Sequence, residues 1–437
     1  MQNLIKYRGT LLATGMALAI AGAGLVAQVL VTKSGSAEAQ SRVSGDTQVP
    51  RFEVDPYWPK PLPNHWRIGN TIGVSADKDD NIWIIQRPGS LEAKESYLTR
   101  GEADCCTAAP DVLEFNQAGN VIKSWGRADA AKGHDWPSSN HGITVAPDGT
   151  IWLGASGAGQ PGPAPGTAAQ FAPRTAPRAA SNGGEGGGEV GTYHDSFLLH
   201  YTTDGKFLGE IGKANASKGS LDTNNVRGVA QIRFLPDGTL VAADGYGNHR
   251  VSMWDAKTMK NIRIFGAYGK PPSDAPILHY NVNSPQFGNP VHCAQPSKDG
   301  MLYVCDRTNN RLQVFKFDGS FVKQYPMEVN TKGDGSVWEV ALSKDPQEKF
   351  MYISDGANEK IHVFDRATVT ELYSFGGGGR LAGEFYAVHS ITTDSKGNIY
   401  TTETYRGQRV QKFVFKGLVP LSQLTTAKIV GNSIINP

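Results

Sequence analysis

The chain has 437 residues, 51 of them Gly and 25 Pro, and a formal net charge of +2. Gly is well above its roughly 7% average and charged residues, at 19%, are below the roughly 25% norm. The glycines have no period of three, which excludes collagen. The 39% apolar and 9% aromatic content can build a core, which excludes a disordered tail protein, and the even charge excludes a polybasic nucleic-acid binder.

In chain order, Lys6 and Arg8 precede a nearly unbroken apolar run from Leu11 to Val31, and Ala37-Glu38-Ala39 follows as a small-x-small site. Residues 1–39 therefore read as an export signal cleaved near Ala39, with a retained membrane anchor as the alternative. Either way the rest lies outside the cytoplasm, periplasmic or secreted. Four Cys fit that oxidising compartment. Cys293 and Cys305 flank a Ser297-Lys298-Asp299-Gly300 turn that folds two strands back and sets them nearly opposite. Cys105 and Cys106 are adjacent and form a second candidate pair. No Cys-x-x-Cys occurs, so a Cys-based zinc site is not expected.

Residues 40–69 form an N-terminal segment, and from residue 70 to about 420 one unit recurs six times. Its second strands are Ile82-Trp83-Ile84, Ile151-Trp152-Leu153, Leu240-Val241-Ala242, Leu302-Tyr303-Val304, Met351-Tyr352-Ile353 and Ile399-Tyr400-Thr401. Turns such as Asp148-Gly149, Asp237-Gly238 and Asp299-Gly300 precede them. Short strands at a near-constant repeat, with hairpin turns between, predict an all-β six-bladed propeller. The repeats resemble the NHL family. The last blade lacks an outer strand after Phe413, and Arg51-Phe52-Glu53-Val54 is the segment expected to supply it. Residues 89–110, 155–195 and 267–289 interrupt the pattern; the second, rich in Gly, Ala and Pro, reads as a solvated loop. Residues 421–437 form a tail.

Stepping back ten residues from the first residue of each second strand gives Ile72, His141, Ala230, His292, Ala341 and His389. With 10 His in 437 residues, three in six matched slots is far beyond chance. These slots lie on the innermost strands, and alternate blades face the axis from three sides. Three converging His with an open fourth position describe a catalytic metal site. Zinc is the expected metal, with other divalent ions left open. No carboxylate shares the register, so an oxygen-ligated calcium centre is not expected there, while a structural calcium elsewhere stays open.

After the second strand, four blades carry an acid at one offset: Asp244, Asp306, Asp355 and Glu403. The Asp residues read as turn chemistry. Arg87 and Tyr246 depart from their blade-mates and are candidate functional residues; Tyr405 shares the register of Tyr246 and is a second candidate, with Arg307 a further one for substrate contact. His362, alternating with Val363, is expected to be solvated. The remaining His65, His134, His194, His200, His249 and His279 carry no ligand signal.

The segments Asn140-His141-Gly142-Ile143, Asp244-Gly245-Tyr246-Gly247-Asn248-His249-Arg250, Pro290-Val291-His292, Asp306-Arg307-Thr308-Asn309-Asn310-Arg311 and Val388-His389-Ser390 resemble peptidyl-α-hydroxyglycine α-amidating lyase, in the same order along most of residues 70–415. The resemblance implies a secreted lyase in which His141, His292 and His389 hold zinc, Tyr246 is the base and Arg87 assists it. The substrate it implies is a peptide or small carbinolamide, cleaved to an amide and glyoxylate. Ala387 stands where the family has Met, and Gly247 where it has Cys. The alternatives are a non-catalytic propeller that binds a peptide or protein, and another metal enzyme, a hydrolase or oxidoreductase, on the same scaffold. The chain is expected to be a monomer with no nucleic-acid partner.

Overall fold

In the computed structural model of the protein, residues 43–127, 133–159, 193–277 and 280–426 are described. The expected export signal at 1–39, most of the 155–195 insertion, His279 and the tail beyond residue 426 lie outside the described residues. Among the described residues no helix is long and apolar enough to cross a membrane.

The six second strands sit in six antiparallel four-stranded sheets. Blade one comprises Asn70–Ala76, Ile82–Arg87, Val112–Phe115 and Val121–Trp125; blade four comprises Val291–Pro296, Met301–Asp306, Arg311–Lys316 and Phe321–Pro326. The innermost strands of consecutive blades pack side by side, and that of blade six returns to blade one. The ring is therefore closed, and the chain is a six-bladed β-propeller. Each blade is apolar on both faces because each is covered on both by neighbours. One apolar cluster fills each blade interface: Trp83, Trp125 and Phe197 lie between blades one and two, and Trp58, Phe115 and Tyr400 between six and one.

Blade six takes its outer strand from the N-terminal segment. Gln48–Val54 pairs antiparallel with Arg409–Pro420, with Phe52 opposite Phe415 and Val54 opposite Phe413. The Phe52 ring lies 5.5 Å from Tyr352, 5.7 Å from Phe375 and 5.9 Å from Phe415. The strand expected from Arg51 to Val54 is thus three residues longer. The segment after Pro420 opens with a short helix, Leu421–Thr426. The 89–110 insertion is built of short 3-10 turns, and its Thr107–Ala108 pairs in parallel with Trp66–Arg67.

Cys293 and Cys305 are register partners on adjacent strands of blade four, with Cα atoms 4.8 Å apart and sulfurs at disulfide distance. The sulfurs of Cys105 and Cys106 also lie at disulfide distance.

The recurring acids hold the turns. Asp244 accepts from Arg250 Nε at 2.7 Å and Asp306 from Arg311 Nε at 2.6 Å, with all four side chains fully buried. Glu403 accepts from Arg409 Nε at 2.7 Å. Each Arg then donates to carbonyls of the loop that enters its blade: Ser220, Asp222 and Asn225 for Arg250, Val282 and Gln286 for Arg311, and Leu381 and Glu384 for Arg409. In blades three, four and six, therefore, one such ion pair straps the incoming loop to the second strand.

Blade five departs from this scheme and corrects the reading of His362. That side chain is buried, with Nε2 3.3 Å from Asp355 and Nδ1 2.7 Å from Glu371. It replaces Arg as the cation facing the recurring Asp. Alternation with Val363 does not expose it, because both faces of a propeller blade are covered. Despite the cost of burial, the two carboxylates raise its pKa to about 9.

Candidate metal centre

The three His are placed by a defect in the sheet. In blade four Val291 pairs with Asp306 and Cys293 with Cys305, so His292 falls in a bulge between them. The pairing also breaks between Asn140 and Ile143, at His141, and between Val388 and Ile391, at His389. A bulge frees one residue from the ladder and re-aims its side chain. The three imidazoles converge: ring centroids are 5.2 Å apart for His141–His292, 4.8 Å for His141–His389 and 4.7 Å for His292–His389. One nitrogen from each lies within 4.8 Å of the others, and all three residues are buried.

The odd-numbered blades carry the same bulge, at Ile72 in blade one and Ala230 in blade three. For blade five the structure corrects the ten-residue step. Its first turn, from Ser343 to Lys349, is three residues longer than the Ser297–Gly300 turn of blade four. Glu339 pairs with Ser354 as Cys293 pairs with Cys305, so Trp338, not Ala341, occupies the slot.

These odd-blade slots have a role of their own. His141 Nδ1 lies 2.8 Å from the Ala230 carbonyl, and His292 Nδ1 lies 2.6 Å from the Trp338 carbonyl. A carbonyl only accepts, so each Nδ1 carries the proton and each Nε2 presents a lone pair to the centre. Gly142 permits this approach, since a Cβ there would sit 2.8 Å from the Ala230 oxygen. His389 differs: its Nδ1 faces Ser390 Oγ at 3.3 Å.

Tyr246 stands within this group. Its hydroxyl is 2.9 Å from His141 Nε2 and 3.2 Å from His292 Nε2, and it accepts from Arg307 at 3.2 Å. Its backbone N–H donates to the Gly228 carbonyl at 2.9 Å. Gly228, at φ +76°, leaves the space: a Cβ there would lie 2.7 Å from the Tyr246 Cβ. The buried Arg307 guanidinium also stacks 4.6 Å over the Trp338 ring. Arg87 lines the same pocket, and its Nε donates to the Asn140 carbonyl at 2.9 Å, next to His141. Tyr405 lines the outer rim, 44% exposed, and donates from its hydroxyl to Asp334 at 2.8 Å. Trp338 and Ser390 gave no signal in the sequence except the longer blade-five turn that shifts Trp338 into register.

Burial holds the His141 and His292 pKa values well below the ordinary imidazole range. Arg87 and Arg307 add to this at His141, and His389, Arg307 and His141 at His292. Both rings are neutral at pH 7, the form that binds metal. Three converging imidazoles, two of them neutral with Nδ1 fixed by a carbonyl, fit a divalent cation of borderline softness.

No family model matches the chain. Among solved structures it is similar to one described as a streptogramin B lyase, at 13% identity over 85% of this chain and all of that one, with a TM-score of 0.48. It is also similar to two structures of virginiamycin B lyase from Staphylococcus aureus, a catalytically inactive variant with quinupristin and a selenomethionine-substituted form. Both are 12% identical over 84% of this chain and 89% of theirs, with TM-scores of 0.42 and 0.41. These are likenesses of fold, and none of them transfers an activity to this chain.

Proposed function

We propose that the chain is an exported, metal-dependent lyase that cleaves the C–N bond of a carbinolamide bearing a carboxylate, as in a peptidyl-α-hydroxyglycine, releasing an amide and glyoxylate. The observation that carries this reading is the Tyr246 hydroxyl set among three inward-facing imidazoles and held by a guanidinium.

His141, His292 and His389 are the residues that would hold the ion, with zinc the best match to three imidazoles. When bound, such an ion supplies a Lewis acid for the substrate's hydroxyl or carboxylate oxygen. The remaining chemistry belongs to the side chains. Tyr246, as phenolate, takes the carbinol proton, and the charge-assisted bond from Arg307 stabilises that anion. The O–H electron pair becomes the carbonyl of glyoxylate, the C–N pair leaves with nitrogen, and the proton passes from Tyr246 to the departing amide. Arg87 and Arg307 both face the pocket and offer guanidinium groups to the substrate carboxylate.

Glyoxylate release from a hydroxyglycine peptide tests this. His292→Ala is expected to lose metal and turnover together. Tyr246→Phe is expected to keep the metal and lose about 10² to 10⁴ in kcat, the usual weight of a general base. Full turnover in Tyr246→Phe would remove it from the mechanism.

A further inference from the structure

Two of the three imidazoles are oriented by a backbone carbonyl of the following blade, Ala230 for His141 and Trp338 for His292. The corresponding carbonyl for His389 is that of Ile72, the bulge residue of blade one. Between them stands the Ser390 hydroxyl, which donates to the Ile72 carbonyl at 2.7 Å and faces His389 Nδ1 at 3.3 Å. A hydroxyl has one proton. The Ile72 carbonyl and the Glu339 carboxylate both face that hydroxyl as acceptors, so whichever of them takes the proton, the Ser390 oxygen is left to accept, and the group facing it is His389 Nδ1.

We propose that Ser390 is a positioning residue of the metal centre, relaying the orienting effect of the Ile72 carbonyl to His389. The relay fixes the His389 proton on Nδ1 and leaves Nε2 as the donor toward the ion. It completes around blade six the pattern that backbone alone supplies around blades two and four. Ser390 is itself 4% exposed, its N–H donates to Thr402 Oγ1 at 3.3 Å, and its hydroxyl is flanked by Glu339, which is held by Arg233 at 2.7 Å. The inference rests on the three-His reading of the site, but not on the identity of the substrate.

The test is zinc affinity of the purified chain, measured by competition with a chromophoric chelator, in the wild type, Ser390→Ala and Thr393→Ala. Thr393 lies on the same strand and makes the same kind of bond, from Oγ1 to the Leu342 carbonyl at 2.9 Å, away from the His. Loss of an orienting partner of a metal ligand weakens binding about 10- to 100-fold. Ser390→Ala should show that loss and alter the visible spectrum of the cobalt-loaded protein, while Thr393→Ala should leave both unchanged. Equal affinities in Ser390→Ala and wild type, or equal losses in both variants, would overturn the proposal. Should Ser390→Ala fail to fold, ¹⁵N spectra of histidine-labelled, metal-free wild type decide: protonation of His389 at Nδ1 supports the relay, and protonation at Nε2 contradicts it. A wild type that binds no zinc refutes the three-His reading itself, an outcome distinct from a wild type that binds and a Ser390→Ala that binds equally well.

Discussion

At the residue scale, the central ring divides its labour between odd and even blades. Even blades place an imidazole in the bulge, and blades three and five place a carbonyl that orients the preceding blade's imidazole. The even half was legible in the sequence because side-chain identity carries it: three His in one register stand out against a background of few. The odd half was not legible, since a backbone carbonyl leaves no mark on residue type. Trp338 escaped for a different reason. A fixed ten-residue step assumes equal first turns, and the Ser343–Lys349 turn is three residues longer. His362 belongs to this scale too. Its pKa is raised to about 9, above the roughly 6.5 of an unfolded His. Its contribution to stability is therefore complete below about pH 6.5 and lost as pH rises through 9, and is of the order of 3 kcal/mol at most. Melting temperatures of wild type and His362→Gln should differ most near pH 6 and converge above pH 9.5. A constant gap across that range would mean that His362 contributes packing and no charge.

At the element scale, the acid–Arg pair explains why Asp recurs at one offset after the second strand. Asp244 and Asp306 read as turn chemistry from sequence, and the buried pairs with Arg250 and Arg311 give that role its physical content. The strap to the incoming loop is what the sequence leaves unseen, because its acceptors are carbonyls 25 to 30 residues away. Breaking one pair leaves a buried carboxylate without its partner. Arg311→Met should therefore destabilise the protein by about 3–5 kcal/mol. Arg311→Met paired with Asp306→Leu should recover much of that loss, since the uncompensated charge is gone. Denaturant unfolding of the single and double variants measures both. A single variant as stable as wild type would show that the pair has no part in holding blade four.

At the scale of the whole molecule, the ring is closed by a strand from the far end of the chain. That was legible because the sixth unit ran out after its third strand, and an alternating segment ahead of the first unit was unclaimed. Phe52 carries much of the contact, 8% exposed among three aromatic rings. Phe52→Ala should cost about 3–5 kcal/mol, and deletion of residues 43–54 should lower the melting temperature further still; an unchanged melting temperature in the deletion would show that the ring closes without it. Closure bears on function because His389 and Ile72 sit on the two blades that meet at the seam. The three-His reading requires His141, His292 and His389, brought together by alternate blades, to share one metal ion. Metal content per chain, measured by elemental analysis in the wild type and in His141→Ala, His292→Ala and His389→Ala, tests it most directly. The predicted result is one divalent ion per wild-type chain and little or none in each variant, all remaining folded. Metal retained at full stoichiometry in all three variants would contradict it.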